Sequence, residues 1–325
     1  MKLQLHIIVA AVAGAFAILY TVPAAPQAAT APPAAKSAVK QKAFASPQEA
    51  AKALTDAVRA KNVDGLLAVV GPNSSSWLFS GDMVADANDW NRFLEAYDRK
   101  NAMEEAAPDR MILTVGDDGW PFPAPLVKHG DKWTFDANAG REELVNRRVG
   151  RNELDAMQTI LAIVDAEREY AASDADGNGF ADYARKFRSS PGKKDGLFWP
   201  TAEGAPPSPL GPLVAVAAKE GYGKGAKEAD RTTGTPQPYR GYYYRILTAQ
   251  GKNAPGGAYD YMVGNKLLGG FAVVAYPATY RVSGVTTFLV NHEGVVYEKD
   301  LGAQTASIAG NMTLFNPDST WRKSQ

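Results

Sequence analysis

Residues 140–173 read GREELVNRRVGRNELDAMQTILAIVDAEREYAAS and lie between two groups of shorter predicted elements. It is long, highly charged and helical in pattern. Leu154, Met157, Leu161 and Val164 recur at intervals of three, four and three residues, which is the spacing of one face of a helix. The sequence therefore predicts a long helix that buries this face against another element.

Shorter helices are predicted before this stretch. In SPQEAAKALTDAVRAKN, Ser46 is placed as an N-cap, Pro47 occupies the first helical position and Glu49 stands where a capping box requires it. Two further helical segments follow, VDGLLAVVG and NDWNRFLEAYDRKN. The first part of the chain thus begins as a group of helices.

The pattern then changes to short strands, RMILTVG, APLVKHG and KWTFDA, with a hairpin turn at residues 129–131. Helices followed by a small antiparallel sheet indicate an α+β domain over residues 43–140. This order resembles the cone-shaped nuclear-transport-factor-2-like (NTF2-like) superfold, and that resemblance implies a pocket without implying a reaction.

After the long helix, a segment rich in proline and glycine predicts irregular structure anchored by Phe198, Trp199 and Leu210. Five strands joined by short turns follow: YYYRILTAQ, YDYMVG, KLLGGFAVVAYP, GVTTFLVNH and GVVYEKDLG. Residues 141–325 are therefore predicted to form a second domain, a long helix packed on an antiparallel β-meander. This arrangement resembles the globular head of type IV pilins and pseudopilins without their polymerising stalk.

The first residues of the chain predict a location outside the cytoplasm. Residues 1–24 carry one formal charge, Lys2, and an apolar run that ends in small residues, which is typical of a secretory signal peptide. The apolar run, Ile7 to Leu19, is shorter than the roughly 20 residues that cross a bilayer, although a retained anchor remains the alternative. Residues 25–42 predict a disordered linker. We expect a periplasmic or secreted bacterial protein with no stable membrane span after cleavage.

Charge and cysteine content exclude several classes of function. The chain has 35 basic and 35 acidic residues, so its formal net charge is 0, and loss of residues 1–24 changes it to −1. This balance argues against nucleic acid as a partner, because nucleic-acid binding favours a basic excess. The chain has no cysteine, which removes thiol catalysis, thiolate metal sites and disulfides.

Several long strings resemble a known family: DGWPFPAPLVK, GREELVNRRVGRNEL, YARKFRSSPGKKDGLFWP, GYYYRILTAQGKNAPGGAYDYMV and VNHEGVVYEKDLG. They are similar to exported bacterial proteins catalogued as a domain of unknown function, number 2950, over a stretch that runs from about Phe44 to the C-terminus. The resemblance implies an envelope location and a two-part architecture. It brings no established activity and therefore no catalytic residues.

One acidic loop, SDADGNGFADYARKF at residues 173–187, has the beginning of a calcium-loop pattern. The candidate ligands are Asp174, Asp176, Asn178, Phe180 through its carbonyl, and Asp182. The bidentate acid expected at the twelfth position is replaced by Arg185. Ca²⁺ is thus the only cofactor that the sequence suggests, and the alternative is a plain turn that ends the long helix.

Tyrosines on the predicted sheet suggest an interaction surface for a glycan or an envelope protein. Tyr242 and Tyr244 would share one strand face, and Tyr259 and Tyr261 another. The alternative is that these side chains cap a half-buried sheet.

Little else in the sequence indicates catalysis. His129 and His292 both fall in predicted turns, where a general base lacks a held partner. Ser190 to Lys193, SPGK, matches the SxxK nucleophile pattern formally but stands in a Pro/Gly loop. The sequence therefore favours a non-catalytic binding or assembly role in the cell envelope. A hydrolase or small-ligand-binding module with a pocket in the N-terminal domain remains the alternative.

Overall fold

The computed structural model describes residues 40–223 and 237–324. Its α-helices are α1 (Pro47–Arg59), α2 (Val63–Val70), α3 (Ser75–Leu78), α4 (Met83–Arg99), α5 (Ala137–Ala172), α6 (Gly211–Glu220) and α7 (Thr305–Gly310). Its strands are β1 (Asn101–Ala107), β2 (Arg110–Val115), β3 (Trp120–Pro121), β4 (Leu126–His129), β5 (Lys132–Phe135), β6 (Tyr242–Leu247), β7 (Ala249–Gln250), β8 (Tyr259–Asp260), β9 (Met262–Val263), β10 (Lys266–Leu267), β11 (Ala272–Pro277), β12 (Thr286–Asn291), β13 (Val296–Asp300) and β14 (Arg322–Lys323).

The first sheet has the order β1-β2-β4-β5, with β3 paired to β2, and all its pairs are antiparallel. It shares a core with α1, α2 and α4, in which Leu54, Trp77 and Leu113 are almost completely buried. The sequence did not predict β1, because this edge strand is largely exposed and lacks alternating apolar residues. The hairpin between β4 and β5 turns after His129, as predicted.

The second sheet has the order β14-β13-β12-β11-β6 and is also antiparallel. The α+β class with antiparallel sheets is therefore confirmed. The predicted strand YDYMVG does not join this sheet, because its residues divide between two small ribbons, β7 with β8 and β9 with β10. The chain between β6 and β11 is thus an excursion, and β6 pairs directly with β11.

Helix α5 links two separate hydrophobic cores. Leu144 and Val145 pack against the first core, whereas Ala156, Ile160 and Ile163 belong to the second. The helix has 36 residues and contacts β6, β11 and β12 of the second sheet. At 1.5 Å per residue it is about 54 Å long, enough to reach across both cores.

The predicted face of α5 is buried only in part: Val164 is a core residue and Met157 packs against the second core. Leu154 is 62% exposed and Leu161 is 39% exposed, whereas Arg148, Asn152 and Glu167 are buried. The buried face includes polar residues because each has a partner distant in sequence. For example, Asn152 donates a hydrogen bond from Nδ2 to the carbonyl oxygen of Ser283 at 2.9 Å. An interpretation based on apolar residues alone therefore assigned part of the exposed side of α5 to the core.

The start of α1 is as predicted. The Ser46 side chain accepts a hydrogen bond from the Glu49 N–H at 3.2 Å, and Pro47 is the first helical residue. The Glu49 carboxylate accepts from the N–H of Ala45 rather than from that of Ser46. Local capping signals were sufficient to position this helix.

The segment between α5 and α6 has no helix or strand, in line with its proline and glycine content. Leu210 is buried, and Phe198 and Trp199 pack partly buried against the second core. Isolated bridges join Tyr183 to Leu267 and Arg188 to Phe198. This segment is therefore anchored at several points.

The predicted signal peptide, residues 1–24, and residues 25–39 of the predicted linker lie outside the described residues. Within residues 40–223 and 237–324, no helix combines the length and apolar character that a membrane span requires. The division into two domains near residue 140 stays a prediction.

Candidate functional site

A cleft of ≈ 420 Å³ lies beside the first core, between α4, the β2–β3 region and the first turns of α5. We call it the aromatic cleft. Its apolar wall is formed by Leu78, Trp90, Phe93, Ala96, Val115, Trp120, Phe122 and Leu144, and its charged residues are Asp86, Asp89, Arg92, Asp118, Arg148 and Arg151. Helix α4 contributes its residues at intervals of three or four, so one side of the helix faces the cleft.

The wall of the aromatic cleft contains four aromatic side chains. The ring centroids of Trp90 and Phe93 are 5.9 Å apart in an edge-to-face arrangement. Those of Phe93 and Phe122 are 5.4 Å apart. Such contacts fix the rings relative to one another, so the cleft presents preformed aromatic surface.

Arg148 is the most enclosed cation of the aromatic cleft. Only 7% of this residue is exposed. Its Nη1 donates a hydrogen bond to the carbonyl oxygen of Trp77 at 2.8 Å, and its Nε is buried without a partner. Burial lowers the pKa of Arg148, and the charges of Asp86 and Asp89 oppose that fall. An arginine nevertheless stays charged in a protein.

Asp86 is held in place by a backbone group. Both of its carboxylate oxygens accept the N–H of Ser80, at 3.1 and 2.9 Å. Burial raises the pKa of Asp86, whereas the Ser80 hydrogen bonds and the charge of Arg148 act against that rise. Asp86 therefore fixes the segment that leads into α4.

Asp89 is engaged by two arginines. Its Oδ2 accepts a hydrogen bond from Nη2 of Arg151 at 2.9 Å, and its Oδ1 accepts one from Arg92. The carboxylate links α4 to α5 at the edge of the cleft. Of the described residues that line the cleft, none is Ser, Thr, Lys or His.

The acidic loop has the hydrogen bonds of a turn. The Asp174 carboxylate accepts the N–H groups of Asn178 and Gly179, at 2.9 and 3.0 Å. Nδ2 of Asn178 donates to Asp176 at 2.6 Å and to Asp182 at 2.8 Å. The side chain of Phe180 is 51% exposed.

A bound Ca²⁺ would need carboxylate oxygens that now accept hydrogen bonds, so the loop would have to exchange these bonds for the ion. In the part of the chain that the structure describes, no group of three or more His, Asp or Glu side chains is placed to hold a metal ion. The calcium loop stays a prediction, and calorimetric titration with Ca²⁺ is the measurement that tests it.

The structure does not assemble the predicted tyrosine surface. Tyr242 and Tyr261 are fully buried, and Tyr244 packs against the second core. Tyr259 is 39% exposed. Tyr242 on β6 and Tyr261 outside the second sheet are therefore both core residues.

The side chain of Ser190 forms a polar cluster with Lys186 and Asp195 rather than with Lys193. Nζ of Lys186 donates to Oγ of Ser190 at 2.7 Å and to Oδ2 of Asp195 at 2.9 Å. Oγ of Ser190 also donates to Asp195 at 3.1 Å. The Lys186 ammonium group therefore contacts both Ser190 and Asp195.

The sequence did not single out the residues of the aromatic cleft. They come from separate elements between Leu78 and Arg151, and Arg148 stands among several exposed arginines in NRRVGR. The helical spacing of Trp90 and Phe93 was visible, and it indicated only a buried face.

These features define an α+β protein with two antiparallel sheets and an aromatic cleft that contains an enclosed arginine. The chain belongs to the family described as protein of unknown function (DUF2950), whose model matches residues 41–324. No curated protein and no solved structure matches the chain. The resemblances to a pilin head and to an NTF2-like cone are therefore not confirmed.

Proposed function

We propose that this protein is a non-catalytic binding protein of the cell envelope whose aromatic cleft takes a small, largely apolar molecule. The observation that carries the proposal is the cleft itself, with its ≈ 420 Å³ and its four aromatic side chains. Ligand sites in proteins are commonly apolar hollows of about 300–1,000 Å³ with a few placed polar groups.

A binding role is favoured over hydrolysis by the state of Asp86 and Asp89, the two acids on α4, whereas the third lining acid, Asp118, is exposed. Asp86 accepts the Ser80 N–H with both oxygens, and Asp89 is shared by Arg92 and Arg151. A general acid or base needs an oxygen that is free to reach the reacting group. These two residues instead hold α4 and its neighbours in place around the cleft.

The envelope location rests on the predicted signal peptide. Mass spectrometry of the full-length gene product, purified from a bacterial host, is expected to find a chain that begins near residue 25 in the periplasmic fraction or the medium. A product that keeps residues 1–24 would support the retained-anchor alternative.

The binding proposal is tested with N-phenyl-1-naphthylamine, an uncharged probe that fluoresces in apolar surroundings. We expect a saturable fluorescence increase with the wild-type protein. Leu144→Trp introduces a larger ring into the cleft from α5 and should weaken probe binding at least about tenfold, because this ring competes with the probe for space beside the aromatic wall.

Leu154→Trp is the matched control, since Leu154 lies on the same helix and is 62% exposed. It should bind the probe as the wild type does. Equal binding by both variants would place the probe elsewhere and refute the proposal, as would the absence of saturable binding to the wild type.

A further inference from the structure

We propose that the ligand of the aromatic cleft is an aromatic carboxylate and that Arg148 receives its carboxylate group. This inference rests on the proposed function, because it names the class of molecule for the same cleft. It is carried by the enclosure of Arg148, the engagement of the nearby acids and the aromatic wall.

Arg148 is buried without an anion. A guanidinium has five N–H donors, and one hydrogen bond joins this one to the described protein, from Nη1 to the Trp77 carbonyl oxygen. The Nε group is buried and has no partner. Enclosing a cation costs free energy unless an anion or further acceptors compensate for the lost water. Because Arg148 lines the cleft and makes one hydrogen bond to the described protein, it is suited to a ligand that brings further hydrogen-bond acceptors.

Two of the three acids of the cleft, Asp86 and Asp89, are already engaged. Asp89 is shared by Arg92 and Arg151, and Asp86 uses both oxygens for the Ser80 N–H. Neither acid forms an ion pair with Arg148 in the described residues, although both act on it at longer range.

The formal charges that line the cleft balance, with three arginines and three aspartates. Among the three arginines, however, Arg92 and Arg151 are exposed, and Arg148 is the buried one. A ligand carboxylate would therefore supply the anion that this enclosed cation lacks. Arginine binds carboxylates through planar, charge-assisted hydrogen bonds, so this anion class fits the available donors.

The aromatic residues of the cleft wall indicate the nature of the rest of the ligand. Trp90, Phe93, Trp120 and Phe122 offer ring faces and edges, which favour another aromatic ring over a flexible chain. A volume of ≈ 420 Å³ is sufficient for two fused rings that carry a short acid group. We therefore choose 2-naphthoate as the probe.

The test compares 2-naphthoate with 2-naphthamide, which has nearly the same shape and no charge. Each compound displaces N-phenyl-1-naphthylamine from the wild-type protein in one buffer. We expect 2-naphthoate to bind at least about tenfold more tightly than the amide, because charge-assisted hydrogen bonds are about twice as strong as neutral ones. Decanoate is the third compound, and we expect it to bind more weakly than 2-naphthoate.

Arg148→Met removes the donors and keeps an unbranched apolar side chain. It should abolish the preference for the acid and leave amide binding within about twofold of the wild type. Arg141→Met is the matched control, because Arg141 is an exposed arginine on the same helix outside the cleft lining. This control should keep the full preference. Circular dichroism establishes that both variants are folded, and the comparison of acid with amide in the wild type needs no variant.

The possible outcomes separate the two proposals. If the uncharged probe binds and the acid and amide bind equally, the aromatic carboxylate is refuted and the binding function stands. If no probe binds saturably, both proposals fall. A preference for the acid that survives Arg148→Met would refute the role of Arg148, and tighter binding of decanoate would refute the aromatic body.

Discussion

Replacement of Asp82 by alanine is expected to lower the free energy of unfolding by about 3–5 kcal/mol. Asp82 is 2% exposed and is the N-cap of α4, where its Oδ1 accepts the N–H groups of Val84 and Ala85, at 3.1 and 3.0 Å. Its Oδ2 accepts the Tyr222 hydroxyl at 2.8 Å and the Gly241 N–H at 2.9 Å. The alanine variant would lose the cap and leave two enclosed donors without acceptors.

The measurement is urea unfolding followed by circular dichroism. Asp82→Asn keeps an oxygen for the cap but presents an NH₂ group where an acceptor is needed, so its loss should be smaller than that of the alanine variant. Asp64→Ala is the control, because Asp64 is an exposed acid in the first turn of α2. A loss for Asp82→Ala no larger than that of Asp64→Ala would contradict the prediction.

Replacement of Glu167 by glutamine is expected to raise the free energy of unfolding above that of the wild type. This gain should be about 1–3 kcal/mol larger at neutral pH than at acidic pH. Glu167 is fully buried on α5. Its Oε2 accepts the Ala184 N–H at 2.8 Å, whereas its Oε1 has no partner. Burial raises the pKa of Glu167 well above the ordinary 4.5. Glutamine keeps an acceptor for Ala184 and never ionises.

The direction follows from proton linkage. Because the folded protein holds the Glu167 proton more tightly than the unfolded chain does, this contribution to stability is complete below about pH 4.5 and is lost as pH rises through the folded-state pKa. The difference in unfolding free energy between Glu167→Gln and wild type should therefore increase from about pH 4.5 to about pH 8. Glu169→Gln, at an exposed position of the same helix, should show no such increase. A constant difference for Glu167→Gln would refute the assignment.

The parts of the fold that could be predicted are those fixed by neighbouring residues. The start of α1 follows from Ser46, Pro47 and Glu49, and the turn after His129 follows from its own short sequence. Four strands of the second sheet, β6, β11, β12 and β13, were visible because their apolar residues are consecutive and bounded by turns, whereas the short β14 was not predicted. YDYMVG was placed wrongly, and the start of KLLGGFAVVAYP forms β10 in a separate ribbon. Tyr261 is buried off the sheet, where its hydroxyl donates to Gln250 at 2.8 Å.

The parts that could not be predicted depend on partners distant in sequence. Arg148 and Asn152 look like solvent-facing residues until Trp77 and Ser283 supply their acceptors. Leu154 looks like a core residue, although it is exposed among the described residues. The residues of the aromatic cleft could not be grouped from the sequence for the same reason, because they come from α4, β2, β3 and α5 and are brought together only by the tertiary fold.

Helix α5 also limits how this protein can be divided. Its first turns complete the core beneath α4, and its later turns complete the core beneath β11 and β12. An attempt to express the first half alone by stopping at residue 140 would remove Leu144, Val145 and two of the three cleft arginines, Arg148 and Arg151. It would also leave apolar surface of the first core exposed to water, which is unfavourable. A fragment that is to stay soluble should therefore carry at least the first four turns of this helix with it, and the same turns belong to any transplant of the cleft onto another scaffold.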